Sequence, residues 1–548
     1  MLDADPLEDM PVRPASGARK LALAALALIV AAAMVVRLVP MAPAPAQALA
    51  AAANSTVTIL SGEPASIDPA YHGDSGSANY VSQLYETLTA VDPKLVIRPA
   101  LAQTWVVSDA GTRVTFTLRD GLTFSDGSPL KASDVVHSWR RLFHSGGFSP
   151  LASLIADVKG ARDLLSGKTS DASALGVSAP DDRTVVVELD RGGGGLPAIV
   201  SGSPFAIVPP SATDAEITPG SSGLVGSGGY TWGGLDGDAI VLKANPHYWA
   251  GQPAIDTARM LTTLGGNSPV DAFVAKTIDV TTIAHYDASW IAFDKDLGPS
   301  LRSDPNLSVT YYGFNTRAGS PFANVMLRQA FAQAVDWRRL GKLDEPGSSV
   351  PATGIVPVGI PGAPAGDFLP PYNPAAARQL LADAGYPGGA GLPVIRFTAL
   401  GGGYDTGILQ MLRDNLGVKI DYAGMDFGSY QEALATDTPD IWSMSWVADY
   451  PGPNDFLGVL LESGSTANSG GWASPAFDAA VQQATAASNA ADALAAYTTA
   501  LGIVRDEAPV VPVSYGTSYS LVRDGLLGAS ETGTGIIRLA GLAWSTGQ

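Results

Sequence analysis

The chain has no cysteine among its 548 residues. That absence excludes disulfides, zinc–thiolate centres and cysteine nucleophiles, together with the acylated cysteine by which bacterial lipoproteins are anchored. Histidine is nearly as scarce, with five residues: His72, His137, His144, His247 and His285. No pair of them has the spacing of a metal-binding helix, and the "SGG" after His144 ends any helix that would align it with His137. Basic residues are few, 33 against 52 acidic, which leaves a formal net charge of −19. So acidic a surface repels phosphate backbones, and nucleic acid is excluded as a partner. Neither a P-loop nor a GxGxxG following a strand occurs, so no cofactor is expected. No pair among the many carboxylates stands out for glycoside hydrolysis.

The residues that are present describe a well-packed protein. Hydrophobic residues make up 46% and charged residues 16%, with 61 glycines and 40 prolines to turn the chain between short elements. The length calls for two or three lobes. Residues 1–53 stand apart. Arg13, Arg19 and Lys20 precede the apolar run "LALAALALIVAAAMVV", and "MAPAPAQALAAAA" comes after it, with Ala46-Gln47-Ala48 and Ala48-Leu49-Ala50 as cleavage signals. This order is that of an export signal, or of a membrane anchor where it is left uncleaved. Either places the folded part outside the cytoplasm.

The remaining sequence reads as mixed α/β. Strands are predicted at 55–60, 112–119, 184–189 and 394–400; in the second, Val114, Phe116 and Leu118 alternate with polar residues. One helix is predicted through "NVMLRQAFAQAVDWRRL", with Leu327, Ala330, Phe331, Ala334 and Val335 on its packing face. Others begin at Asn373-Pro374, stopping at Gly385, and at Ser474-Pro475. "GDSG" (Gly73–Gly76) imitates a serine-protease nucleophile motif. That chemistry requires a histidine and an aspartate placed far upstream, and only His72 precedes Ser75. The motif is expected to be a polar turn.

Several segments in order resemble the extracellular solute-binding proteins of family 5, the oligopeptide- and dipeptide-binding components of ABC importers. They are "EPASIDPAYHGDSGSANYVSQLYETLTAVDP", "PALAQTWVVSDAGTRVTFTLRDGLTFSDGSPLKASDVVHSWRRL", "LKANPHYWAGQPAID", "FNTRAGSPFANVMLRQAFAQAVD", "YNPAAARQLLADAGYP" and "SWVADYPGPNDFL". The chain departs from the family pattern at Lys131, where a threonine N-cap is usual, and at "GSGGY". The resemblance implies a two-lobed periplasmic-binding-protein-like fold, a hinged trap with an additional domain inserted in the first lobe. Lobe I would comprise 54–88, 183–305 and 506–548, the inserted domain 89–182, and lobe II 306–505.

It further implies a non-enzymatic, monomeric receptor that passes peptides to ABC permease subunits. The same scaffold carrying a sugar, a nickel chelate or an opine is the alternative, and a secreted hydrolase is the second. By the match, Asp449 would meet the ligand's ammonium group, with Trp446, Val447 and Tyr450 beside it. Glu63, Pro64 and Ala65 would run along the ligand backbone. No basic cluster marks a binder for the ligand's carboxylate.

Overall fold

The computed structural model describes residues 55–545, except 109–110, 145–146, 193–194, 222–223, 344–348, 402, 466, 488 and 532. The expected export signal or anchor, 1–53, lies outside the described residues. Among the described residues, no helix is long and apolar enough to cross a membrane.

Ten described strands run in order across one mixed sheet, and an eleventh, Ser349–Pro351, pairs with its long strand Val510–Val522. The middle of the sheet is an antiparallel pair of long strands, Leu301–Phe314 and Val510–Val522. At one end of this pair lie Val280–Ile283 and then Thr56–Leu60, Thr257–Leu261, Ala239–Ala244 and Tyr230–Asp236. At the other lie Ile441–Val447, Ile395–Ala399 and Ile420–Gly424. The register of the long pair shifts between Pro305 and Val309, and again between Thr310 and Tyr311. Proline has no ladder N–H to give, so the irregularity falls where a bond was already missing.

Separate cores flank this break. Val57, Tyr80, Leu84, Tyr230, Met260 and Leu542 share one. Tyr311, Trp442, Phe456 and Phe477 share another, and Phe322, Phe331, Phe397 and Leu412 a third. A four-stranded sheet of Ala102–Ser108, Arg113–Leu118, Thr184–Glu188 and Val177–Ser178 carries a further core around Phe116, Phe124, Trp139 and Phe205. Ala70 and Leu88 join this core, and a buried ion pair ties it to the segment after the first strand. The buried Arg141 grips Asp68 with two nitrogens at 2.7 and 3.1 Å, and Asp68 also accepts the backbone N–H groups of Ala70 and Ile217.

The predicted strands and helix starts appear where expected. Asn373 caps Pro374–Asp383 by accepting the Ala376 N–H, and Ser474 caps Pro475–Ala486. One helix differs. The segment 325–343 is two helices, Val325–Ala334 and Trp337–Leu343, with Val335 extended between them. The Asp336 carboxylate accepts the Arg339 N–H and so opens the second helix, while the Trp337 indole donates to the Ala332 carbonyl. Lys131 supplies no side-chain cap to Ala132–Arg140, although the Asp134 carboxylate accepts the Lys131 N–H at 2.8 Å. Lys131→Ser is therefore expected to raise stability by ~1 kcal/mol, visible as a higher melting temperature.

Candidate functional site

The strand Ile441–Val447 is paired on one edge along its whole length and on the other for only two residues. Leu301–Phe314 runs antiparallel to all of it, while Ile395–Ala399 meets only Ile441 and Trp442. The Tyr430 hydroxyl satisfies the backbone of Ser443 on that second edge, accepting its N–H and donating to its carbonyl. Backbone groups alternate along a strand, so those of Ser445 and Val447 face the same way as Ser443. Among the described residues no strand pairs with them there, and they form an open edge, a template for an incoming extended chain.

Just past this edge the chain turns through Asp449. Its amide donates to Asp455 Oδ2 at 3.3 Å, and the Trp446 indole donates to the same oxygen at 2.8 Å. Asp455 is fully buried, and its Oδ1 has no partner among the described residues. Burial and the neighbouring Asp449 push its carboxyl well above the usual carboxylate range. It lies within a π-helical turn, Asp455–Val459, an irregularity common at functional sites.

Asp449 itself is half-buried, and burial pushes its carboxyl up to about 6. No hydrogen-bond donor or cation among the described residues offsets that. It stands in the walls of two adjoining cavities, of about 280 and 450 Å3, which also share Leu151 and Leu154. A carboxylate held out of water without a partner costs stability, and such groups in clefts mark binding sites.

The other expected residues are distributed unevenly. Val447 lines the smaller cavity and Trp446 the larger. Tyr450 borders the larger cavity, but its ring is buried in the core of Phe116 and Trp139, and its hydroxyl accepts from Asn454. Glu63, Pro64 and Ala65 are in the wall of neither cavity; Glu63 and Ala65 are exposed.

Nothing in the sequence pointed to the smaller cavity's other polar residues. "GDSG" is the turn and helix start anticipated, with Asp74 capping Ser75–Leu84 through the Ser77 N–H at 2.8 Å, yet it also borders the cavity. Beside it His72 Nε2 lies 3.1 Å from Ser203 Oγ, and burial lowers the His72 pKa to about 4. Arg538 completes the wall.

Known proteins are similar to this chain in sequence and fold. Residues 96–468 match the model of the bacterial extracellular solute-binding proteins, family 5. The chain belongs to that family. Among its family 5 relatives is the periplasmic murein peptide-binding protein MppA of Escherichia coli, 29% identical over 86% of this chain and 89% of MppA. The probable deoxycholate-binding periplasmic protein YgiS of the same organism is also 29% identical, over 84% of this chain and 88% of YgiS. The unliganded open form of MppA superposes on 90% of this chain and 98% of its own with a TM-score of 0.74, at 25% identity. The fold is thus that of the two-lobed family 5 binding proteins, and these relatives are binding proteins rather than enzymes.

Proposed function

We propose that this chain captures peptides with a free amino terminus outside the cytoplasm and delivers them to an ABC permease. The observation that carries this reading is Asp449, an unpaired, half-buried carboxylate at the end of an open strand edge. A peptide supplies both missing partners, an ammonium group for the acid and a backbone for Ser445 and Val447. Relatedness alone does not choose the solute, because the peptide-binding and deoxycholate-binding relatives are equally similar to this chain. A bile acid is an anion and leaves Asp449 unpaired.

A serine hydrolase would draw on His72 and Ser203, which lie 3.1 Å apart. Among the described residues no carboxylate holds His72 Nδ1, as a Ser-His-Asp triad would require.

The lobes are assigned as 54–88, 183–305 and 506–548 against 306–505, with 89–182 inserted. The split between the lobes has the support of separate cores toward the two ends of the long strand pair, whereas Thr184–Glu188 pairs within the four-stranded sheet and so carries the inserted domain past 182. An N-terminal export signal, cleaved or kept as an anchor, belongs to the same proposal.

Isothermal titration calorimetry with a tripeptide and its N-acetylated form tests the reading. Binding of the free amine and marked weakening by acetylation are expected; equal binding of both would overturn it. The pH dependence has a definite sign. Asp449 is ionised in the complex and has a pKa of about 6 in the empty site. Affinity is therefore full between that value and the peptide amine's own pKa of about 8, and falls by up to about tenfold per pH unit below about 6. His72, neutral above about 4, does not titrate in this window. Titrations from pH 8 to 5 measure the slope, and a flat profile would show that Asp449 does not carry the binding.

A further inference from the structure

The turn that carries Asp449 is closed by a single carboxyl group. The Asp455 side chain reaches back across it, and its Oδ2 accepts the Trp446 indole N–H at 2.8 Å and the Asp449 amide at 3.3 Å. The Asp455 amide donates to the Gly452 carbonyl at 3.1 Å, which ties the far end of the same loop. The residues on either side of Asp449 are fixed independently. Ala448 donates its N–H to the Leu307 carbonyl at 2.8 Å, and the buried Tyr450 ring packs into the core of Phe116 and Trp139. The Asp449 carboxyl takes no part in this network and borders both cavities.

Asp455 is an unusual residue to bury here. It is fully enclosed, and its Oδ1 has no partner among the described residues. No lysine or arginine among them stands against it. The titratable groups that face it are Asp449, whose charge would repel its own, and the Tyr450 hydroxyl, which Tyr497 faces in turn. Burial raises both tyrosines, so neither carries a charge at neutral pH. A carboxyl enclosed without a cation stays protonated, and its proton belongs on Oδ1, the oxygen that accepts nothing. Asp455 then serves Trp446 and Asp449 as an acceptor without setting a second negative charge behind the first. An arriving ammonium group meets Asp449 alone.

We infer that Asp455 is the positioning residue for amine recognition: through one shared oxygen it fixes the Trp446 indole and the Asp449 backbone, and so holds the Asp449 carboxylate at the cavity wall. This rests on the peptide reading and adds to it a residue that touches no solute, since Asp455 is in the described wall of neither cavity. It acts by preorganisation. A carboxylate already held in place pairs with an ammonium group without first having to be ordered.

The test compares a free tripeptide with its N-acetylated form by calorimetry on the intact protein, on Asp455→Asn and on Asp455→Leu. The intact protein is expected to prefer the free amine. Asp455→Asn keeps an uncharged acceptor of the same shape. It should retain that preference within about threefold, and its affinity should still fall below about pH 6. Asp455→Leu fills the space but leaves both donors unpaired, and its preference should shrink about tenfold or more. Asp455→Ser, too short to reach both donors, takes its place if the leucine variant does not fold. A role confined to stability would lower the melting temperature and weaken both peptides alike, so an undiminished free-amine preference in the leucine or serine variant overturns the inference. Loss of the preference in Asp455→Asn, or a fall in its pH midpoint, also overturns it, because either shows Asp455 acting as a charge. Each of these results leaves the peptide reading standing. If the intact protein binds both peptides alike, that reading fails and this inference fails with it.

Discussion

Asp449→Asn is expected to weaken binding of a free-amine peptide by ~2–5 kcal/mol, at least roughly 30-fold, and to leave binding of the N-acetylated peptide nearly unchanged. Asparagine keeps the shape of the side chain and removes only the charge, so the difference between the two ligands isolates the ammonium contact. The same substitution should not destabilise the empty protein. Burial raises the Asp449 pKa from 3.8 to about 6, so ionising it works against folding. For an acid raised in this way, stability declines as pH rises from the unfolded to the folded pKa, and the loss is complete above about 6. At pH 7 the neutral amide avoids that cost, up to ~3 kcal/mol for the rise from 3.8 to about 6; the amide's own burial offsets part of this, and a gain on the order of 1–2 kcal/mol is expected in a thermal or urea melt. Weaker binding together with higher stability is the pattern of a functional residue kept at a structural cost. Loss of both would instead assign Asp449 a structural role.

Arg141→Met should have the largest effect on stability. Asp68 and Arg141 are both buried, and removing the arginine leaves a carboxylate with only the backbone N–H groups of Ala70 and Ile217 as partners. Breaking such a pair from one side costs ~3–5 kcal/mol, which a urea unfolding curve reads as a lower midpoint. Adding Asp68→Asn removes the stranded charge, and the double variant should recover part of the loss. If the single and double variants were equally unstable, the stranded charge would not be the cause and lost packing would be.

The local features of the fold were legible because their signals are local. Asn373-Pro374 and Ser474-Pro475 carry their helix starts within two residues, and Val114, Phe116 and Leu118 carry their strand by alternation. The break at Val335 was not legible. Its apolar spacing continues the helix, and the interruption comes from Asp336 starting a new one. Asp449 stood out through the segment it shares with the family. Its second cavity wall did not, because Arg538 and Gln83 are brought beside it by contacts between residues more than 450 positions apart. Tyr450 shows the converse. Adjacent to Asp449 in sequence, it faces away into a core built from residues 70–207. Asp455 reads in the sequence as one loop acid among many, and only its burial beneath Trp446 and Asp449 gives it a part in the site.

The most direct test of the central claim is native mass spectrometry of the protein purified from cells, with its bound ligands released and weighed. A family of short peptides, with free amino termini on fragmentation, is the expected result. A single non-peptide solute with no amino group would contradict it, and would leave the unpaired carboxylate of Asp449 without a ligand to meet.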